Sequence, residues 1–449
     1  MLIRSISGLR GITDTPDGLT DEVINDYVSS FATMLGGSGI IALGFDGRHG
    51  GKRIYELTSE ALRKSGCDVL TLGMVPTPTV MFAAETKNEV VGGISVTASH
   101  NPQQWNGLKF INGKGLFLDA EENNELWGLV YSKGWHHHLA HGKTIDGAVV
   151  VNAHIDTVLS IPFLALDQIK DRNFKVVLDA VNASGSFIQQ QLLEKLGVNS
   201  VVGVATDGTG IFPHTPEPIP ENLTFLCDEV RNHHGDIGIA VDPDADRCVL
   251  ITEKGEPFIE ENTIVLAIEE VLSNSAAAQS VVVNLSTTRA VEDIAALYRA
   301  SVYRTPVGEI NVAKKMLETS AIIGGEGSGG VIFPQVHIGR DSLVAVALAL
   351  SNLARSGMSV SEKKQSLPQY EIVKAKKTLQ GLPQAWEEIE AIKTKLLPKA
   401  TDINDEDGLR MEFGNKWLHV RVSNTEPIMR FIAEAPSKVI AEQIISEIY

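Results

Sequence analysis

Cysteine is scarce: Cys67, Cys227 and Cys248 are the only three in 449 residues, and no Cys-x-x-Cys pair occurs. An odd, scattered set excludes a disulfide framework and a cysteine-based zinc site, and makes a reducing cytoplasm the expected compartment. Long apolar runs are missing too, since no stretch reaches the roughly 18 residues that a membrane-spanning helix needs. The N-terminus, Met-Leu-Ile-Arg-Ser-Ile-Ser, has neither the basic flank nor the apolar core of a secretory signal. Positive charge is the third shortage, with 39 Lys and Arg against 56 Asp and Glu and a net charge of −17. Neither a nucleic acid nor a membrane is therefore an expected partner, and any bound anion must be met by a local group of basic residues.

What is present reads as a multidomain globular protein. Hydrophobic residues make up 43% of the chain and charged residues 21%, and the length points to about three domains. Ile40–Phe45 is a short apolar strand, followed by a polar turn, a helix over 54–65 and a strand over 67–72. This strand–helix–strand unit of a parallel sheet recurs at 174–204 and at 280–304. The spacing is too wide for a solenoid and fits tandem α/β domains. From about Ser361 the chain turns Lys- and Glu-rich, with a helix over 384–397 and strands over 408–413 and 417–422, an α+β pattern. Boundaries are expected at 1–140, 141–252, 253–360 and 361–449. The Pro-rich run 212–220 reads as a rigid loop, and His136, His137, His138 and His141 read as a solvated connector or a metal site.

Four stretches carry chemistry. Thr97-Ala-Ser-His-Asn-Pro follows the small-residue strand Val90–Val96 and places the Ser99 hydroxyl on a turn beside His100, with Lys109 ten residues on. It is either a self-capped Asx turn or a nucleophile loop. Asp242, Asp244 and Asp246 alternate between two apolar strands; three carboxylates in five residues repel one another unless a hard cation such as Mg²⁺ neutralises them, the alternative being an acidic solvated turn. Arg247 stands where an EF-hand needs Gly, which excludes that motif. Gly325, Gly327 and Gly330 satisfy Gly-x-Gly-x-x-Gly, but Val331-Ile-Phe-Pro follows in place of a helix, so a dinucleotide site is excluded. Glu326 and Ser328 remain as groups suited to sugar hydroxyls, unless the stretch is merely a flexible loop. Arg421-Val-Ser-Asn-Thr-Glu-Pro-Ile-Met-Arg sets Ser423, Asn424 and Thr425 between Arg421 and Arg430, a phosphate cradle or a surface ion-pair cluster. Arg10, flanked by Gly8 and Gly11, is a turn residue or a further anion contact.

In this order and over essentially the full length, the four motifs resemble those of the α-D-phosphohexomutase superfamily. The resemblance implies three related α/β domains and a smaller C-terminal one around a central cleft. It implies that Ser99 is phosphorylated in the active enzyme, with Mg²⁺ held by that phosphate and by Asp242, Asp244 and Asp246. Lys109 resembles the general acid/base, and His100 and Arg10 its neighbours. Arg247, Glu326 and Ser328 would bind the sugar, and Arg421, Ser423, Asn424, Thr425 and Arg430 the phosphate that is not reacting. A hexose phosphate is the implied substrate, a hexose 1,6-bisphosphate the activator, and a monomer or homodimer the implied assembly. Two departures stand out: Gly330 replaces a His common in relatives, and the metal loop reads Asp-Pro-Asp-Ala-Asp-Arg in place of Asp-Gly-Asp-Gly-Asp-Arg. The Gly-Glu-Gly-Ser-Gly-Gly and Ser-Asn-Thr-Glu-Pro forms resemble the phosphoglucosamine mutase branch, implying interconversion of glucosamine 6-phosphate and glucosamine 1-phosphate. Phosphomannomutase or phosphoglucomutase activity, a non-catalytic sugar-phosphate sensor and a metal-dependent phosphatase are the competing readings.

Overall fold

The computed structural model describes every residue except 1, 7, 14, 138, 139, 277, 380, 424–427 and 449. Its organising feature is one strand plan used three times. In the first sheet Ile40–Phe45 lies between two parallel neighbours, Asp68–Met74 and Val90–Val96, and the latter turns back antiparallel as Trp105–Asn112. The second sheet repeats this with Lys175–Asp179 between Ser200–Ala205 and Ile237–Val241, which returns as Cys248–Thr252. In the third, Ser280–Asn284 lies between Ser301–Thr305 and Ile323–Glu326, which returns as Gly330–Phe333. The three motif loops, at 97–104, 242–247 and 327–329, are thus the same hairpin turn in three successive domains.

The parallel strands are Val- and Ile-rich because helices cover both faces, and Ile237–Val241 and Cys248–Thr252 are buried at every position. The cores of the second and third units merge into one, through which the helices Glu260–Ser273 and Ser342–Ser356 run. Asp341 starts the second of these, its carboxylate accepting from the Leu343 N–H at 2.8 Å. The fourth sheet is antiparallel throughout, in the order Glu371–Thr378, Ile428–Ala435, Trp417–Val422, Leu409–Glu412, Asp402–Asn404. It is anchored to the third domain by Trp417, whose buried indole N–H donates to Glu434 Oε1 at 2.7 Å, while that same oxygen accepts from Arg289 N at 2.9 Å.

Several expected bounds shift. The first sheet extends past residue 140, because Thr144–Asp146 pairs with Asp68–Met74. The helix expected from 54 starts at Gly51, since Gly50 supplies a left-handed entry at φ 77°. Thr77–Thr86 is a further helix, with Pro78 in its first turn, where Pro is tolerated because no N–H partner exists. Among the described residues no single helix is long and apolar enough to cross a membrane.

Candidate active site

Ser99 is 1% exposed and left-handed, at φ 49°. Such backbone in a non-Gly residue carries strain of about 1–3 kcal/mol and persists only where the surroundings over-determine it. Here they do. Asp46, following Ile40–Phe45, accepts from Arg48 N at 3.0 Å, Arg48 Nε at 2.7 Å and Thr97 Oγ1 at 2.6 Å. Thr97 Oγ1 in turn accepts from Ser99 N at 2.8 Å. The buried Arg48 guanidinium donates to the carbonyls of Ser99 and, at 2.8 Å, of Trp105. The loop is pinned at both ends and presents the Ser99 hydroxyl, which donates to Asp242 Oδ2 at 3.2 Å and lies 3.2 Å from His100 Nδ1.

The three aspartates of the second hairpin are buried, with ligating oxygens within 4.8 Å of one another. Burial first, then Asp246 and Asp244, pushes the Asp242 carboxyl well above the usual range. Burial also works against Asp246, but Arg340, Lys109 and Arg247 outweigh it and hold that carboxyl below the usual range. Asp244 Oδ2 accepts from Thr77 Oγ1 at 2.7 Å and Lys109 Nζ at 2.6 Å, and Asp246 Oδ2 from Arg340 Nη2 at 2.6 Å and Lys109 Nζ at 3.2 Å. Both Oδ2 atoms are saturated. Asp244 Oδ1 and Asp246 Oδ1 are buried with no hydrogen-bond partner. Two orphaned carboxylate oxygens beside a third carboxylate are what a hard divalent cation needs, so the donor set fits Mg²⁺.

Lys109 is buried beneath this group. Burial lowers its pKa, but Asp244 and Asp246 more than offset that and raise it, so the side chain is an ammonium. Burial and the nearby Arg247 and Arg10 push His100 well below its ordinary value, leaving a neutral imidazole at pH 7. Arg10 reaches the same loop, donating to Asn101 Oδ1 at 2.8 Å. The Arg247 N–H donates to Asp242 Oδ1 at 3.2 Å, and its side chain is half-buried.

In the third hairpin Glu326 ends a strand. Its Oε1 accepts from Asn284 Nδ2 at 2.7 Å and Gly308 N at 3.1 Å, and its Oε2 from Arg340 Nη1 at 2.6 Å. With two lone pairs on each oxygen, one acceptor position is left, on Oε2. Ser328 is half-buried in the turn. In the fourth domain Arg421 is buried; its Nε donates to Asp407 Oδ2 at 2.9 Å, and its Nη2 has no hydrogen-bond partner. Ser423 N donates to Ile428 O at 2.9 Å, closing the loop, and Arg430 pairs across the sheet with Arg421. Asn424 and Thr425 lie outside the described residues, as does His138.

Asp46, Arg48, Thr77, Asn284, Glu309 and Arg340 belong to none of the four motifs. Asp46 and Asn284 carry a usable signal, since both stand at the end of the first strand of a repeat, at the carboxyl edge where open α/β sheets bind ligands. The local sequence around Arg340 carries none.

Comparison with known proteins agrees with this architecture. Residues 2–136, 152–255 and 260–370 match the families described as "Phosphoglucomutase/phosphomannomutase, alpha/beta/alpha" domains I, II and III, and 372–449 match the corresponding C-terminal domain. The chain belongs to the phosphoglucomutase/phosphomannomutase family. A "Phosphoglucomutase/phosphomannomutase" of Thermococcus kodakarensis is 33% identical, the match covering 96% of this chain and 94% of the relative. A "Phosphoglucosamine/phosphogalactosamine mutase" of Sulfurisphaera tokodaii is 29% identical, with 98% and 97% covered. The crystal structure of a phosphoglucomutase/phosphomannomutase family protein from Burkholderia thailandensis superposes with a TM-score of 0.87 at 26% identity, covering 99% of this chain and 95% of that one. Membership makes the protein an isomerase of the phosphohexomutase kind.

Proposed function

We propose that the protein moves a phosphoryl group between the 6- and 1-positions of a hexose by way of phosphorylated Ser99, with glucosamine 6-phosphate and glucosamine 1-phosphate as the pair interconverted. The observation that carries this reading is the Ser99 hydroxyl, held in a strained turn 3.2 Å from Asp242 Oδ2, beside the two orphaned oxygens Asp244 Oδ1 and Asp246 Oδ1. A sugar-phosphate sensor has no use for a hydroxyl held in a strained turn beside two unpartnered carboxylate oxygens.

Asp242, Asp244 and Asp246, with the phosphate on Ser99, would hold Mg²⁺. When bound, the cation neutralises charge on the transferring phosphoryl oxygens. Lys109, kept as an ammonium by Asp244 and Asp246, serves as the acid toward the departing oxygen. Neutral His100 and the Arg10 guanidinium line the Ser99 loop, His100 against the hydroxyl and Arg10 as an anion contact. Arg247, Glu326 and Ser328 orient the sugar, Glu326 through its one remaining acceptor position. Arg421, with Ser423 and Arg430, meets the distal phosphate through its unpartnered Nη2. Phosphoserine donates to the free hydroxyl, and the resulting hexose 1,6-bisphosphate turns end for end before its other phosphate returns to Ser99. The same bisphosphate acts as activator by rephosphorylating Ser99.

The amino-sugar assignment draws on the Gly-Glu-Gly-Ser-Gly-Gly turn and on the name of the Sulfurisphaera relative; the name of the Thermococcus relative favours glucose and mannose phosphates. Coupled assays on glucosamine, glucose and mannose 6-phosphates, with Mg²⁺ and a trace of bisphosphate, separate them. Turnover on the amino sugar that vanishes in Ser99→Ala is expected. Preference for glucose or mannose overturns the substrate, phosphate release without isomerised sugar indicates a phosphatase, and inactivity on all three overturns the mutase reading.

A further inference from the structure

Arg340 ends the strand His337–Arg340 and is 8% exposed, yet no motif and no step above uses it. Its planar fork meets three carboxylates from three elements. Nη2 donates to Asp246 Oδ2 of the metal loop at 2.6 Å, Nη1 to Glu326 Oε2 of the third hairpin at 2.6 Å, and Nε to Glu309 Oε2 at 3.0 Å. Its backbone N–H also reaches Glu309 Oε1 at 2.9 Å, which fixes the root of the side chain. A lysine ammonium lacks the rigid fork needed to bridge such a set.

The chain makes room for this side chain at Gly330. A Cβ on Gly330 would lie 2.2 Å from Arg340 Cδ, inside any tolerable contact. A side chain at 330 and the present course of Arg340 exclude each other. The contacts also form one line across the molecule. Arg421 bonds Asp407, whose Oδ2 accepts from Val307 N at 2.9 Å; the next residue, Gly308, donates to Glu326, and Glu326 is joined through Arg340 to Asp246. Arg340 is the link between the phosphoryl end and the sugar end.

Its bonds decide which lone pairs remain. By filling Asp246 Oδ2 together with Lys109, it leaves Oδ1 as that residue's open oxygen, and by taking one position on Glu326 Oε2 it leaves one. We propose that Arg340 is a positioning residue of the reaction, holding the metal loop and the sugar hairpin in register while its charge weakens the grip of Asp246 on a divalent cation. This rests on the mutase reading, with Glu326 toward the sugar and Asp246 toward the cation.

Charge and geometry separate in two variants. Arg340→Gln removes both, and Arg340→Lys keeps the charge but loses the fork. The readouts are Mn²⁺ affinity by electron paramagnetic resonance titration, which needs no turnover, and kcat and KM on the preferred sugar phosphate. Arg340→Gln is expected to bind Mn²⁺ about 10-fold tighter, a counter-charge having left Asp246, while kcat falls about 100-fold. Arg340→Lys is expected to keep Mn²⁺ affinity within about twofold while kcat still falls about 10-fold. Tighter metal with slower turnover is a pairing that general damage to the fold does not produce. Weaker Mn²⁺ binding in step with lost activity in both variants, or kcat in Arg340→Gln within about threefold of wild type, overturns the proposal. Wild-type inactivity on every sugar phosphate overturns the mutase reading instead, and the Mn²⁺ shift then stands or falls separately.

Discussion

Among the described residues, two clusters bring three buried ligating side chains within 4.8 Å: Asp242, Asp244 and Asp246 in one, His154, His337 and Asp341 in the other. They are neighbours, joined through residues 340 and 341 and through the helix Thr77–Thr86, whose Thr77 bonds Asp244 and whose Thr79 lies 3.1 Å from His154 Nδ1. What differs is where the lone pairs go. In the aspartate cluster two oxygens have no hydrogen-bond partner. In the histidine cluster the Gly339 N–H donates to His337 Nδ1 at 3.0 Å, so the ring proton sits on Nε2, which lies 3.4 Å from Asp341 Oδ2 without closing a hydrogen bond: the unpartnered group here is a donor and not a lone pair. His154 Nε2 approaches the same oxygen at 2.9 Å, with Phe82 stacked on its ring. A metal on His337 Nε2 would require an imidazole stripped of both protons. Proximity of ligand atoms therefore does not define a cation site; a free lone pair aimed inward does. One cluster offers the lone pairs that a cation could take, and its neighbour offers none in the same way.

The strongest attempt to break this contrast is Asp244→Asn. The amide keeps the shape and removes a charged ligand, so Mn²⁺ affinity is expected to fall at least about 100-fold and turnover about 1,000-fold, as titration and the coupled assay would show. Metal binding unchanged in this variant would mean that the cation sits elsewhere. The matching change in the histidine cluster is His337→Asn. It removes the Nε2–H that faces the buried Asp341 carboxylate, at a cost of about 1–3 kcal/mol, read as a drop of several degrees in the thermal unfolding midpoint. Mn²⁺ affinity in that variant is expected to stay within about twofold, and a large change would merge the two clusters into one site.

The repeat plan was legible because strand–turn–helix–strand leaves a local trace, as at Ile40–Phe45 and Ser280–Asn284. The turns that carry Ser99 and the three aspartates were legible too, because each is a short polar run between two apolar strands. That the three loops are one hairpin in three domains was not, since antiparallel return is a property of pairing and not of composition. Arg340 and the His154–His337–Asp341 brace were invisible for a related reason. Arg340 lies 14 residues from Glu326 and 94 from Asp246, and His154 lies 187 from Asp341, so only folding brings these groups together. Gly330 was visible as a departure, but its reason, the Arg340 side chain occupying the space, required the packed structure.

The smallest expected effect concerns how the brace is charged. Burial raises the Asp341 pKa, but His154, hydrogen-bonded to it at 2.9 Å, and the nearby His337 outweigh that and hold it below the usual carboxylate range. A carboxyl depressed on folding contributes stability above its unfolded value of about 3.9, and loses it as pH falls further. The stability gap between wild type and Asp341→Asn should therefore be constant from pH 7 to about 5, then narrow by up to about 1.4 kcal/mol per pH unit below about 4. Denaturant midpoints of the two proteins between pH 7 and 3 measure it. A gap that stays flat to pH 3 would mean that the brace is held by neutral hydrogen bonds. The aspartate cluster would then be the only one of the two described here that works through charge.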